Sequence, residues 1–313
     1  MRRSLFYLLF FCINIILMKV MLLGAGAVGA PLCTRLTKAS ELYLIMDDKR
    51  AEEYKGIIVN GLHYQIPLAK KGDKADLIIL ACKNFDLDNA ISEIREHVRD
   101  NTIIMSLLNG VESEKHLEEA FPNAHVIYSF ITSLSSNRDG NIINCYSENG
   151  GIIFLGEKNG EKTEELEKVI SLFDMCNVTY QVSDNIIKEI WWKFMLNCAF
   201  NSLSGILETT YRKMYDNQML LMAAQKTIDE VIEVANAEDV NLTAKDGQRA
   251  IDTIKAFKDD GKTSLLQDIE NKRMTENRYF TYCVSTLGKK HKISTPVCDL
   301  LYLLVEAKSY AKK

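Results

Sequence analysis

Short apolar runs alternate with segments of helical apolar spacing through the first half of the chain. The apolar runs predict strands at residues 19–23, 42–46, 75–81, 102–106, 124–129 and 178–181, with shorter β-like pieces at 56–59 and 63–66. Helical spacing predicts helices at residues 28–38, 87–98, 112–120 and 163–175. Because strands and helices take turns along the chain, the pattern favours a parallel, doubly wound α/β sheet.

The apolar pattern changes near residue 183. From there to the end helical periodicity dominates, with interruptions near residues 202–205, 259–262 and 288–296. We therefore expect an α/β domain over residues 18–182 and an all-helical domain over residues 183–313. The length of 313 residues also favours two domains over one.

Residues 1–17 fall outside both predicted domains. Two arginines and an apolar run from Leu5 to Leu17 give this segment a superficial likeness to a signal peptide. The run is shorter than the ~20 apolar residues that cross a bilayer, and no small-x-small cleavage site follows it. We expect an upstream extension that is absent from a native protein starting at Met18, and a short hydrophobic leader is the alternative. The first interpretation predicts a cytoplasmic protein without a membrane partner.

Composition and charge favour small-molecule chemistry. Hydrophobic residues make up 47% of the chain and charged residues 26%, as in ordinary globular proteins. The formal net charge is -4 and no long basic stripe is present, so the electrostatic pattern of a nucleic-acid-binding protein is missing. The 8 cysteines and 5 histidines form no cluster with metal-ligand spacing, so no metal site is predicted.

A glycine motif joins the first predicted strand to the first predicted helix. It consists of Gly24, Ala25, Gly26, Ala27, Val28 and Gly29. In such a turn the first glycine permits a sharp bend, the second lets backbone approach a pyrophosphate, and the third lets the helix pack on the strand. The helix N-terminus then offers N–H groups and partial positive charge to phosphate oxygens. The motif therefore predicts a Rossmann-type domain that binds a dinucleotide.

Asp47 stands at the end of the second predicted strand, where it bears on the choice of dinucleotide. An acidic residue about 20 residues beyond the glycine motif hydrogen-bonds the ribose 2′-hydroxyl of NAD and repels the 2′-phosphate of NADP. Asp47 thus favours NAD. Lys49 and Arg50 follow directly and offer positive charge to a 2′-phosphate, so NADP stays open. A solvated turn is the alternative role for Asp47.

The segment from Ile190 to Asn201 is apolar on nearly every side, which predicts a buried helix. Lys193, Asn197 and Asn201 interrupt it at i, i+4 and i+8 and therefore share one face. Burial penalises an ammonium, so the pKa of Lys193 should fall toward values useful for proton transfer. Lys193 is therefore a candidate acid, and the alternative is an ion pair with Glu189 one turn earlier.

Five motifs, in their order along the chain, resemble those of the ketopantoate reductase (2-dehydropantoate 2-reductase) family. The resemblance runs from Met18 to about Val305. The motifs are the glycine turn, Ala81-Cys82-Lys83, Leu108-Asn109-Gly110, the Lys193 helix with its two asparagines, and residues 263–269 followed by Thr275-Glu276.

This resemblance implies reduction of ketopantoate, a small 2-oxo acid, to pantoate with hydride from NADPH, as one step toward pantothenate and coenzyme A; Asp47 leaves NADH open. Lys193 would protonate the forming alkoxide. Asn109 would lie near both nicotinamide and substrate, Lys83 near the cofactor, and Glu276 in the cleft that holds cofactor and substrate. The residues that would hold the substrate's oxygens are Asn197, Asn201 and Ser264. A homodimer stays open.

Ordinary structural roles are open to four of these residues. Lys83 could be a surface charge and Asn109 a turn residue before Gly110. Ser264 could cap a helix over residues 265–272, and Glu276 could be a solvated helix residue.

The sequence departs from the family pattern at three places. Asp47 stands where members commonly carry arginine for the 2′-phosphate, the segment 277–282 replaces the usual acid and small residues, and Gly261 replaces an asparagine. A different 2-oxo acid is therefore an alternative substrate. A non-catalytic dinucleotide-binding protein is the rival from another class, although it would not need a polar stripe along a buried helix.

Overall fold

A computed structural model of the protein describes residues 18–147, 149–256 and 261–312. They form two compact units. The first contains the described residues up to Leu108 together with Glu112–Ile186, and the second contains Asn109–Val111 and the described residues from Ile187 onward. The predicted upstream extension at residues 1–17 and residues 259–260 of the second predicted helix break lie outside the described residues. The domain roles expected from the sequence stay predictions.

Eleven strands make up the sheets of the first unit. They are β1 (Lys19–Leu23), β2 (Glu41–Ile45), β3 (Ile57–Val59), β4 (Leu62–Tyr64), β5 (Leu77–Leu80), β6 (Ile103–Ser106), β7 (His125–Thr132), β8 (Ser136–Asp139), β9 (Ile142–Cys145), β10 (Ile152–Gly156) and β11 (Tyr180–Val182). Seven of them form one sheet in the order β11-β10-β7-β6-β5-β1-β2, parallel except for the antiparallel β10–β7 pair. The predicted doubly wound, Rossmann-type sheet is confirmed.

Five helices connect these strands. They are α1 (Gly29–Leu36), α2 (Asp48–Glu53), α3 (Leu87–Ile94), α4 (Ser113–Ala120) and α5 (Glu164–Cys176). The central strands β5 and β6 are buried along their whole length, as expected for apolar runs covered on both faces. One core cluster includes strand residues Leu22 and Ile79 together with Phe173 of α5.

The winding of the main sheet reverses between β1 and β5. The chain leaves β1 for β2 on one side and later returns to β5 on the other side of β1. In open α/β sheets, ligands bind beyond the carboxyl ends of the strands at such a switch point. The glycine turn follows β1 at this position.

A second sheet of four strands, in the order β4-β3-β9-β8, packs beside α1. The two β-like pieces near residues 56–66 are confirmed as β3 and β4. Strands β8, β9 and β10 were not predicted, because β8 is polar and mostly exposed and β10 lies between glycines that were interpreted as turns.

The second unit is helical, as predicted. Its elements are α6 (Ile186–Leu196), a π-helical turn (Asn197–Asn201), α7 (Ser202–Leu207), α8 (Tyr211–Tyr215), α9 (Gln218–Ala237), α10 (Ala244–Ala256), α11 (Ser264–Glu270), α12 (Thr281–His291) and α13 (Pro296–Lys312). Helix α9 packs against the π turn, α10, α12 and α13. No helix within the described ranges is long and apolar enough to cross a membrane.

The predicted helix break at residues 202–205 is wrong. Helical backbone continues from Ile186 to Leu207 and ends at Glu208, whose φ of 49° is left-handed. The glycine that suggested the break, Gly205, has a packing role instead: a Cβ there would lie 3.0 Å from side-chain atoms of Leu265 and Ile269. The missing side chain lets α7 and α11 approach closely.

Candidate functional site

The glycine turn after β1 is shaped by two close backbone approaches. Gly24 has a φ of 99°, and a Cβ there would lie 2.6 Å from the carbonyl carbon and oxygen of Ala81. A Cβ at Gly29 would overlap the carbonyl oxygen of Gly24. Neither position can carry a larger side chain without moving backbone. The first and third glycines therefore build the turn itself.

Gly26 differs from the other two glycines because its missing side chain leaves open space. Among the described residues, only Arg138 Nη1 comes within 4 Å of a Cβ built there, at 3.6 Å. Helix α1 then starts with no acidic side chain in its first turn and no side-chain cap on Val28. An open backbone face beside an uncapped helix N-terminus suits an anionic phosphate. The residues present therefore fit a dinucleotide.

The Ala81-Cys82-Lys83 motif lies beside this turn. Its first residue follows β5, and the Ala81 N–H donates to the carbonyl of Leu23 at 2.8 Å. Lys83 is half-buried and precedes a 3₁₀ turn that begins at Asn84. The motif is therefore part of the same strand end as Gly24, and its assigned role at a cofactor stays a prediction.

Asp47 lies just beyond β2, as predicted, but its carboxylate serves local structure. Asp47 is the N-cap of α2: one oxygen accepts from the backbone N–H of Arg50 at 2.8 Å, and the other pairs with the Arg50 guanidinium. These hydrogen bonds from Arg50 lower the pKa of Asp47. The Asp47 side chain is still 42% exposed, so the alternative of a solvated turn stays open, and ribose binding by Asp47 stays a prediction.

Arg50 also reaches a second carboxylate, which the sequence analysis missed. Its Nη2 donates to Glu93 Oε1 at 2.8 Å, and burial raises the pKa of Glu93. Glu93 Oε2 is buried and has no hydrogen-bond partner among the described residues. The Arg50 guanidinium near the end of β2 therefore pairs with two carboxylates, those of Asp47 and Glu93.

In the second unit, Lys193 lies on α6 among buried apolar neighbours. Phe194 and Met195 are fully buried, and burial lowers the pKa of Lys193 to about 8. Within the described ranges no carboxylate lies at ion-pair distance from Lys193. The alternative pairing with Glu189 is wrong, because that carboxylate holds Arg249 through two hydrogen bonds of 3.0 and 2.8 Å.

The two asparagines predicted to follow Lys193 lie on the π turn, one at each end. Asn201 Nδ2 donates to Asn197 Oδ1 at 3.3 Å, so the two amides lie side by side, and both side chains are buried. Asn197 Nδ2 and the neighbouring Ser202 Oγ are buried without a partner among the described residues. A buried donor left unsatisfied costs about 1–3 kcal/mol, so these two groups are candidates for binding a ligand, a water or an ion.

The π turn was not predicted, because the apolar spacing of residues 190–201 is that of an α-helix. Single π turns occur frequently at functional sites because they alter the direction of side chains within a continuous helix. Ser202 was missed for a related reason, as it was interpreted as part of a helix break. Its place directly after Asn201 in an apolar run was the available signal.

Asn109 and Glu276, far apart in sequence, come together in the second unit. Asn109 Nδ2 lies 3.4 Å from Glu276 Oε2, and Glu276 is 4% exposed. The alternative interpretation of Glu276 as a solvated residue is therefore wrong. Asn109 is in the turn before Gly110, and its segment belongs with the helical unit rather than with the sheet it leaves. Their roles toward cofactor and substrate stay predictions.

Ser264 is the first residue of α11 and is exposed. The alternative of a capping role is wrong, because Thr263 is the N-cap and its Oγ1 accepts from the Leu266 N–H at 3.2 Å. Helix α11 packs against α7 and the π turn, which leaves Ser264 unused by the helix itself. Substrate binding by Ser264 stays a prediction.

Across the described residues, no three His, Cys, Asp or Glu side chains are grouped so that they could hold a metal ion.

The sheet order and the glycine turn at the switch point define a Rossmann-type protein with a helical second unit. Two sequence models of one family match most of the chain: "Ketopantoate reductase PanE/ApbA" over residues 20–160 and "Ketopantoate reductase PanE/ApbA C terminal" over residues 185–309. The chain belongs to the ketopantoate reductase family.

Relatives align with this chain over most of their length. The 2-dehydropantoate 2-reductase of Pyrococcus horikoshii is 27% identical over 299 residues, covering 93% of this chain and 97% of the relative. An uncharacterised oxidoreductase of Bacillus subtilis, YkpB, is 25% identical and covers 91% and 97%. The chain therefore aligns with nearly the full length of both relatives.

Solved structures agree on the fold. The D-mandelate dehydrogenase complex with NADH and anilino(oxo)acetate superposes with a TM-score of 0.85 at 25% identity, covering 94% of this chain and 99% of that one. A dimeric ketopantoate reductase from Staphylococcus aureus gives 0.79 at 19% identity, covering 95% and 100%. This fold is therefore shared by proteins that are named for different substrates.

Proposed function

We propose that the protein reduces a 2-oxo acid with a nicotinamide dinucleotide, that ketopantoate is the first candidate substrate, and that Lys193 is the proton donor. The observation that supports this proposal most strongly is a half-buried lysine with a lowered pKa and no carboxylate partner in the described structure, followed by two buried amides. The first unit would bind the dinucleotide, and the second would supply Lys193 and the substrate-binding residues.

Reduction of the 2-oxo group needs a proton at the carbonyl oxygen and stabilisation of the negative charge that develops there. When bound, the reduced nicotinamide supplies hydride to the carbonyl carbon. Negative charge then builds on the carbonyl oxygen, and an ammonium aimed at that oxygen stabilises it and transfers its proton. Asn197 and Asn201, with Ser264, would hold the remaining oxygens of the 2-oxo acid through amide and hydroxyl hydrogen bonds.

Asn109, Glu276 and Lys83 complete the proposal. Asn109 would contact both nicotinamide and substrate, and Glu276 would fix its amide through the contact between the two side chains. Lys83 would contribute positive charge beside the dinucleotide phosphates.

Steady-state kinetics with purified full-length protein tests the proposed function. We expect oxidation of NADH or NADPH that depends on ketopantoate, with formation of one enantiomer of pantoate. Dinucleotide binding without turnover of any 2-oxo acid would overturn the catalytic proposal in favour of a binding role.

The pH dependence of the rate should report the titration of Lys193. Its pKa is lowered from 10.5 to about 8, so the ammonium is present below pH 8 and lost above it. The kcat for reduction should therefore fall as pH rises through about 8, whereas the reverse oxidation, which needs the neutral amine, should rise. A pH profile measured in both directions checks this, and Lys193→Arg should remove the inflection because a guanidinium does not titrate there.

We also propose that NADH is preferred over NADPH. Of the two cations that follow Asp47, Arg50 already pairs with Asp47 and Glu93. A phosphate would have to displace a carboxylate and then lie beside the remaining one. A ribose with a free 2′-hydroxyl faces no such repulsion and can donate to a carboxylate oxygen.

Asp47→Ser should shift the cofactor preference toward NADPH. Serine keeps an N-cap for α2 but removes the negative charge, which frees Arg50 for a phosphate. We expect the ratio of kcat/KM for NADPH to that for NADH to rise about tenfold. Asp48→Ser is the matched control, since it removes the same charge one residue away from the Arg50 pair. An unchanged ratio in both variants would contradict the role of Asp47 in cofactor choice.

A second candidate is reduction of a different 2-oxo acid by the same residues. It is favoured by the likeness to D-mandelate dehydrogenase and by the aromatic segment after Glu276, which carries Tyr279, Phe280 and Tyr282. Comparing kcat/KM for ketopantoate with that for phenylglyoxylate, the 2-oxo acid of mandelate, distinguishes the two candidates.

A further inference from the structure

Arg138 lies beside the glycine turn, although it is 112 residues away from Gly26 in the sequence. It is on β8, the polar strand that was not predicted. Its Nη1 atom lies 3.6 Å from the position that a Cβ of Gly26 would occupy, and no other heavy atom of the described residues beyond the immediate neighbours comes within 4 Å of that position. A guanidinium therefore borders the open face of the turn.

Two hydrogen bonds fix this arrangement. Ser136, two residues earlier and so on the same face of β8, donates its hydroxyl to the carbonyl of Ala27 at 2.5 Å. Arg138 Nε donates to the carbonyl of Gly140 at 2.7 Å, which orients the guanidinium at the end of the hairpin. The contact with the glycine turn is thus supported by two residues of one strand face.

Arg138 is exposed, and no ion pair involves it within the described ranges. A cation placed against backbone without a carboxylate has its charge available for an anion. The backbone at the second glycine of this motif is where a dinucleotide pyrophosphate makes its close approach. An anion at that place would lie within reach of the two Nη nitrogens, whose planar fork matches two phosphate oxygens.

We propose that Arg138 binds the pyrophosphate of the dinucleotide together with the N–H groups at the start of α1. This inference rests on the proposed dinucleotide binding. It gives a function to β8, whose polar sequence Ser136–Asp139 contributes little to the core. It also assigns the second sheet of the first unit a role in holding the cofactor.

Binding measurements on the full chain test this role without any need for turnover. Calorimetry with NADH, ADP-ribose and adenosine separates the pyrophosphate from the base, because only the first two ligands carry it. For Arg138→Ala we expect Kd for NADH and ADP-ribose to rise roughly tenfold or more and Kd for adenosine to stay the same. Arg138→Lys should give an intermediate Kd, since it keeps the charge and loses the fork.

Arg99→Ala is the matched control. Arg99 pairs with Asp76, directly before β5 and hence at the edge of the sheet opposite the glycine turn, so NADH binding should not change. Equal Kd values for wild type and Arg138→Ala would overturn the inference, as would an equal loss of adenosine binding, which would indicate a purely structural role. If the wild-type chain bound neither NADH nor ADP-ribose, the proposed function would fail together with this inference.

Discussion

Lys193→Ala should lower kcat for 2-oxo acid reduction by roughly 10²- to 10⁴-fold, the usual contribution of one positioned general acid. The variant loses both the proton and the positive charge that stabilises the forming alkoxide. The binding of NADH should change little, because the glycine turn belongs to the first unit. Single-turnover kinetics, with Kd measured separately, checks both parts of this expectation.

Lys188→Ala provides a control from the same helix. Lys188 pairs with Asp246 at 3.0 Å and stands outside the polar stripe, so removing it should leave kcat within about twofold of wild type. Equal activity of wild type and Lys193→Ala would contradict the assignment of the proton donor. A similar loss in both variants would indicate damage to the helix rather than to the chemistry.

Gly24→Ala should lower the stability of the protein, whereas Gly26→Ala should weaken dinucleotide binding, although the two positions lie only two residues apart. At Gly24 the added Cβ would lie 2.6 Å from backbone atoms of Ala81 and would require a left-handed φ. We expect this variant to lose about 3 kcal/mol of stability or more, which would lower the thermal midpoint by roughly 5–10 °C.

At Gly26 the added methyl would meet only ordinary contact with Arg138 among the described residues. The variant should therefore melt like wild type and yet bind NADH at least about tenfold more weakly, because the methyl occupies the approach of the pyrophosphate. Thermal melts and NADH titrations on both variants check the contrast. Normal NADH affinity in a folded Gly26→Ala variant would contradict the use of this turn for a dinucleotide.

The pattern of apolar residues was sufficient to predict the strands and helices that form the hydrophobic core. Strands such as β1 and β5 are apolar on both faces, and the glycine turn between β1 and α1 follows from steric rules that leave little choice. The helical character of the second unit was likewise visible in its periodicity.

Elements that depend on strand pairing or on a close approach between helices could not be predicted from the apolar pattern. The strand Ser136–Asp139 has no apolar alternation, and it is ordered by pairing with β9 and by the Ser136 hydroxyl on the glycine turn. Gly205 resembled a helix break because its close contact with α11 is not visible from local sequence.

The same distinction applies to the candidate site. Helical spacing correctly grouped Asn197 with Asn201, and burial alone gave the direction of the Lys193 pKa. Two other contacts depend on tertiary structure. Asn109 contacts Glu276, and Arg50 pairs with both Asp47 and Glu93. Local pattern therefore identified the chemical groups, whereas the fold determined their partners.

The most direct test of the central claim is the steady-state rate of dinucleotide oxidation by the wild-type chain and by Lys193→Ala, with ketopantoate and phenylglyoxylate as separate substrates. We expect turnover of one of these 2-oxo acids, faster with NADH than with NADPH, and its near-complete loss in the variant. Undiminished turnover in Lys193→Ala, or NADH binding with no turnover of either substrate by the wild-type chain, would contradict the claim.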